Sequence, residues 1–101
     1  MSDLYFETQD LTVEIDTEDE DLELHTLPKI WFIYTDADGE ASEPEALTGL
    51  VTDDSVMYAA LEPLEIGVYR VWAESVDTNG KQCVSPAFSI PASARGTVRP
   101  S

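Results

Sequence analysis

Apolar and polar residues alternate with a period of two along most of the chain. Leu11, Val13 and Ile15 are separated by Thr12, Glu14 and Asp16, and Leu22 and Leu24 by Glu23 and His25. Val68-Tyr69-Arg70-Val71-Trp72-Ala73-Glu74 alternates as well and is rich in β-branched and aromatic residues. Alternation of this kind marks strands with one face buried. Ile30-Trp31-Phe32-Ile33-Tyr34 is apolar on both faces and reads as a central strand covered on both sides. Strands are predicted over 4–8, 11–16, 21–27, 29–35, 47–52, 55–61, 68–76 and 81–90, with a helical turn as the alternative over 43–50, restricted by Pro44 and Gly49. Turn signals separate these runs at Asp36-Ala37-Asp38-Gly39, Glu65-Ile66-Gly67 and Asp77-Thr78-Asn79-Gly80, because Gly after Asp or Asn supplies the positive φ that tight hairpins require. Seven or eight short strands at regular spacing read as an antiparallel β-sandwich over residues 1–90. Residues 91–101 lack periodicity and read as an extended tail.

Composition sharpens this picture. A chain of 101 residues, 43% hydrophobic, forms one domain with a single two-layer core. It carries 21 acids and 5 bases, for a net charge of −16. Nucleic acid is bound by neutralising phosphates with Lys and Arg, so this balance excludes a nucleic-acid partner, and anionic membrane surfaces are disfavoured for the same reason. The longest apolar runs, Ile30–Tyr34 and Val56–Leu61, are far shorter than the ~20 residues of a membrane-spanning helix, and the start has the form of no secretory signal. With one cysteine, Cys83, the fold is expected to stand on packing alone, which suits synthesis in a cytoplasm. The charge is also polarised. Residues 1–24 hold ten acids and no base, whereas residues 78–101 hold Lys81, Arg95 and Arg99 and no acid. Arg95 and Arg99 are therefore candidate contacts for a complementary surface.

Candidate chemistry is sparse. His25 is the sole histidine and lies among acids in a predicted strand; no nucleophile is tied to it by spacing, and a surface role is expected. Cys83 reads as a small packed side chain. Asp36-Ala37-Asp38-Gly39-Glu40 begins like a calcium loop, but Gly39 stands at position four and Leu47 at position twelve, where an EF-hand requires Gly at six and Glu at twelve. The run Asp16–Asp21 reads as a solvated turn. No metal, cofactor or small-molecule substrate is expected, and catalysis is not.

Two aromatic residues suggest the type of sandwich. Immunoglobulin-like domains place a Trp inward on their third strand and a Tyr near the start of the penultimate one, its hydroxyl tied to the preceding corner. Trp31 and Tyr69 occupy the corresponding runs. In that register Trp31, Ile33, Tyr69, Val71 and Ala73 face the core. Phe32, Tyr34, Arg70 and Trp72 then form an outward patch of residue types that anchor protein interfaces.

The order of segments from 29 to 91 supports a resemblance. An aromatic strand is followed by Thr35-Asp36-Ala37-Asp38-Gly39, Ala46-Leu47-Thr48-Gly49, Gly67-Val68-Tyr69-Arg70, Val76-Asp77-Thr78-Asn79-Gly80-Lys81 and a closing Phe88-Ser89-Ile90. This resembles the immunoglobulin-like domains of tailed-bacteriophage virion proteins, such as the N-terminal domain of baseplate upper proteins, and more loosely fibronectin type III modules. The resemblance implies a structural or docking role in a virion assembled in the host cytoplasm. Its implied partners are other virion proteins and copies of itself, and it carries over no catalytic residue. Two other readings fit the composition. An acidic DNA mimic would array carboxylates along one face to block a DNA-binding enzyme. A free-standing fibronectin-like module would bind by its loops. A halophilic source would account for the acidity without any partner.

Overall fold

The structure is a computed structural model that describes residues 11–100. The described residues form nine strands and one 3-10 turn: β1 (Leu11–Asp16), the turn Leu22–Leu24, β2 (Thr26–Thr35), β3 (Glu45–Ala46), β4 (Val51–Asp53), β5 (Val56–Leu61), β6 (Val68–Val76), β7 (Gln82–Val84), β8 (Phe88–Pro91) and β9 (Gly96–Val98). They build two sheets packed face to face, as the alternation predicts. Sheet I has the order β4-β5-β1-β9; sheet II has the order β3-β2-β6-β7, with β8 also on β6. All pairs are antiparallel except β1 with β9, which is parallel.

The core is filled from both sheets. Leu11, Val13 and Ile15 of β1 and Met57, Ala59 and Leu61 of β5 meet Ile30 of β2, Tyr69, Val71 and Ala73 of β6, and Ile90 of β8. Each large aliphatic side chain removed from water here contributes ~1.5–3 kcal/mol. The register on β6 is the predicted one: Tyr69, Val71 and Ala73 point in, while Arg70, Trp72 and Glu74 point out. The Tyr69 hydroxyl donates to the Glu62 carbonyl oxygen at 2.8 Å, so the corner tie expected of this residue is formed. Burial, with the Glu62 charge adding to it, pushes the phenol above its ordinary value and keeps the donor proton in place.

On β2 the register is one residue off the expectation. Ile30 is opposite Ala73, Phe32 opposite Val71 and Tyr34 opposite Tyr69, so these three face inward. Trp31, expected in the core, faces out with Ile33. An irregularity between Thr26 and Lys29, where Leu27 takes φ 52° before Pro28, joins the two predicted strands 21–27 and 29–35 into one bulged strand. An extra residue of this kind reverses the phase of the alternation. Residues 22–24 form a 3-10 turn, with Leu22 buried, instead of a strand. The predicted strand 4–8 lies outside the described residues. The predicted tail also differs: Gly96–Val98 pairs along β1 as β9, and Ala92 is buried.

Two hairpin loops share one construction. Asp36 Oδ1 accepts from the N–H groups of Asp38 and Glu40, and Asp77 Oδ1 from those of Asn79 and Lys81. In each, the Gly N–H donates to the Asp carbonyl, and Gly39 and Gly80 take φ near 80°. The Asp36 loop thus spends on its own backbone the oxygen that a calcium loop would offer a cation. At Asp77 the Lys81 N–H lowers the carboxyl below its ordinary 3.8, opposed by partial burial and helped by the Asn79 N–H; at Asp16 the Ser55 hydroxyl and the Glu18 N–H do the same. A carboxylate whose folded value is depressed stabilises the fold above its unfolded value and loses that contribution as pH falls through the folded one. The stability difference between the native chain and Asp77→Asn should therefore be constant above about pH 4 and shrink below it. Urea unfolding at each pH measures this, and the comparison cancels the relief of self-repulsion as the other acids protonate.

Candidate docking surface

The alternation of β2 and β6 gives the outer face of sheet II an aromatic centre. Trp31 lies directly opposite Trp72, Ile33 opposite Arg70, Lys29 opposite Glu74, and Thr35 opposite Val68. Both tryptophans of the chain are on this face, half-exposed. Val68 and Val84 extend the apolar area at 44% and 59% exposure. Lys29 Nζ stands 5.7 Å from the centroid of the Trp31 ring, a cation–π distance. Trp72 Nε1–H donates to Glu74 Oε2 at 2.7 Å, and Gln82 Nε2 donates to Glu74 Oε1 at 3.0 Å. Glu74 is the one acid that strand pairing places on this face, against two bases, in a chain where acids outnumber bases four to one. Acid is thus depleted where apolar rings are exposed.

The six residues singled out from sequence are distributed differently from the expectation. Arg70 and Trp72 share the outer face. Phe32 and Tyr34 do not join them, because the one-residue phase shift turns both inward. Phe32 meets Tyr69 edge-on at 5.7 Å between centroids, and Tyr34 lies 5.3 Å from the same ring. The Tyr34 hydroxyl donates to the Ile66 carbonyl at 2.7 Å. These rings, with Leu47, Leu61 and Leu64, line a groove of about 380 Å³ between the sheets, with Glu45 and Glu62 at its edge. Arg95 is occupied locally: Nη1 donates to the Ala92 and Ala94 carbonyls, and Nη2 to that of Leu64. Arg99 pairs with Glu14 and ties the chain after β9 to β1. The members that sequence reasoning missed are Trp31, Ile33 and Lys29. The signal that finds them is the phase of β6, whose Arg70 and Glu74 mark the outward positions and fix β2 through pairing.

A second cleft, of about 350 Å³, holds the only histidine. It is lined by residues of the 16–19 turn, His25, Ser75, Cys83 and Val84. The His25 side chain is only 4% exposed, so it is not the surface residue expected. Nε2 meets Asp19 Oδ2 at 2.9 Å, and Nδ1 meets Ser75 Oγ at 2.8 Å. With Nε2 carrying the proton, the ring donates to Asp19 and accepts from Ser75. The same three residue types make a hydrolase relay, and the pairing order fits one. Here, however, Ser75 points inward from β6 at 5% exposure. The neighbouring Ala73 N–H is taken by Ser85 Oγ and the Ser85 N–H by the Ala73 carbonyl, so neither faces the cleft as an oxyanion donor. The relay binds the connection between β1 and β2 to sheet II. Cys83, half-buried and opposite Ser75, shares the cleft with His25, a proximity the sequence does not indicate. Among the described residues no three His, Cys, Asp or Glu side chains converge to hold a metal ion.

No family model, curated protein or solved structure matches the chain. The functional reading therefore rests on the two-sheet body, the acid-poor aromatic face and the segment order described above.

Proposed function

We propose that this chain is a non-enzymatic structural protein of a tailed-bacteriophage particle, joining neighbouring subunits through the outer face of sheet II. The observation that carries the docking role is the cluster of Trp31, Ile33 and Trp72 bordered by Lys29 and Arg70. Half-exposed tryptophans beside an arginine are the residue types that dominate binding energy at interfaces. The virion setting comes from the segment order over 29–91. The immunoglobulin-like reading gains support from the placement of β1 beside β5 and β2 beside β6, and from the Tyr69 corner, while the outward Trp31 departs from that pattern.

The test is attachment. Purified protein added to particles lacking it should bind stoichiometrically and saturably. Trp72→Ala or Arg70→Ala should weaken attachment by more than ~1 kcal/mol with the fold intact by circular dichroism. Failure to attach removes the virion reading; attachment with unchanged affinity in both variants removes the face.

A further inference from the structure

We infer that the groove between the sheets binds a small organic cation, an ammonium group carried on an apolar body. The groove is separate from the outer face of sheet II, so this site goes beyond the docking reading and stands without it. The groove exists because two edge strands are short. Among the described residues β3 pairs with β2 only at Trp31 and Phe32, and β4 with β5 only from Val56 to Tyr58. Past these pairs that side of the sandwich stays open. Phe32, Tyr34, Leu47, Leu61 and Leu64 are left to line a space of about 380 Å³. Small-molecule sites occupy roughly 300–1,000 Å³ and are mostly apolar, with a few polar groups that fix orientation.

The polar groups of this groove select the charge of its ligand. The lining contains two carboxylates, Glu45 and Glu62, and no Lys, Arg or His. Glu45 comes from β3 in sheet II and Glu62 follows β5 in sheet I, so each wall supplies one. Both residues are exposed, and neither carboxylate has an ion-pair partner among the described residues. The Glu62 charge is felt at the Tyr69 phenol, which places that carboxylate beside the aromatic wall. The hydrogen-bond donors, by contrast, are spent. The Tyr34 hydroxyl donates to Ile66 O, the Tyr69 hydroxyl to Glu62 O and the Ser42 hydroxyl to Glu43 O. The N–H groups of Tyr34, Leu47 and Leu64 donate to Ser42 Oγ, Ile30 O and Ala92 O. What remains is a set of acceptors, two of them charged. A ligand bringing N–H donors and a positive charge completes this set, whereas an anion meets two like charges and few donors. Its apolar body packs on the half-buried Phe32 and Tyr34 rings, where a neighbouring cation gains further.

The experiment titrates the full-length, isotope-labelled chain with phenethylammonium and follows the amide resonances by NMR. Phenethyl alcohol and phenylpropionate serve as the neutral and anionic counterparts. Saturable shifts should concentrate at residues 45–48 and 60–64. The ammonium should bind about fivefold or more tightly than the alcohol, and the anion should bind least. The Glu45→Gln, Glu62→Gln double variant should lose about fivefold in affinity for the ammonium and leave the alcohol unchanged. Both glutamates are exposed, so this variant keeps the fold. Leu47→Trp, which enlarges a lining side chain, should abolish binding of both compounds. Equal affinity for ammonium and alcohol overturns the inference. So do unsaturable shifts spread over the acidic surface, as at the Asp36 and Asp77 loops, which mean a screening counterion only. Saturable binding of a lysine-bearing peptide without binding of the free amine makes the groove a contact for a partner chain and also overturns it.

Discussion

Replacing Gly67 by alanine is expected to destabilise the protein by about 3 kcal/mol or more, which for a domain of this size is a large part of its stability. Gly67 takes φ +112°, a backbone conformation that L side chains rarely adopt. Strain of that kind costs ~1–3 kcal/mol. A Cβ there would also stand 2.5 Å from Tyr34 Cε1, 2.6 Å from its hydroxyl and 2.7 Å from the Thr35 carbonyl oxygen. Overpacking adds ~1–3 kcal/mol. The corner has little room to adjust, because the Tyr34 hydroxyl is bonded to Ile66 O and the Ala92 N–H donates to Gly67 O at 3.0 Å. Denaturant unfolding measures the loss. Adding Tyr34→Ala to Gly67→Ala should recover only part of it, since the Thr35 carbonyl and the φ strain remain. A cost below ~1 kcal/mol would mean that the Tyr34 ring does not lie against this backbone. The corner bears on the proposed docking face as well, because it sets where β6 begins, and so where Arg70 and Trp72 emerge.

The contrast between β6 and β2 explains how much of the surface was legible in the sequence. On β6 the charged Arg70 and Glu74 punctuate an apolar run, so its inward and outward positions can be read directly. On β2 five consecutive apolar residues give no phase. The choice of Trp31 as the buried member followed a family pattern that the bulge after Thr26 undoes. That bulge is a local backbone event at Leu27 and Pro28 with no periodic signature. β9 escaped for a related reason: Gly-Thr-Val is too short to alternate, and only its pairing with β1 defines it. The relay of Asp19, His25 and Ser75 joins residues fifty positions apart, a proximity that spacing along the chain does not encode. The hairpin loops, by contrast, were legible because Asp and Gly act there through their own backbone.

The two neighbours Ile30 and Trp31 separate stability from docking most sharply. Ile30 is fully buried between the sheets. Truncation to alanine leaves a cavity and should cost about 2–5 kcal/mol in denaturant unfolding. Trp31 is the larger side chain, yet it lies on the outer face, opposite Trp72 in the strand register and under Lys29. Its truncation forfeits one exposed cation–π contact and part of a half-exposed ring's packing, about 1 kcal/mol. The order of the two costs is thus opposite to the order of side-chain size, which follows only if Ile30 points in and Trp31 out. Attachment should respond the other way round. Trp31→Ala should lower affinity by more than ~1 kcal/mol, as an anchoring ring does, while Ile30→Ala, measured where it remains folded, leaves affinity within a few tenths. A larger stability loss for Trp31→Ala than for Ile30→Ala would return Trp31 to the core and, with the phase of β2 reversed, dissolve the surface on which the docking role is built.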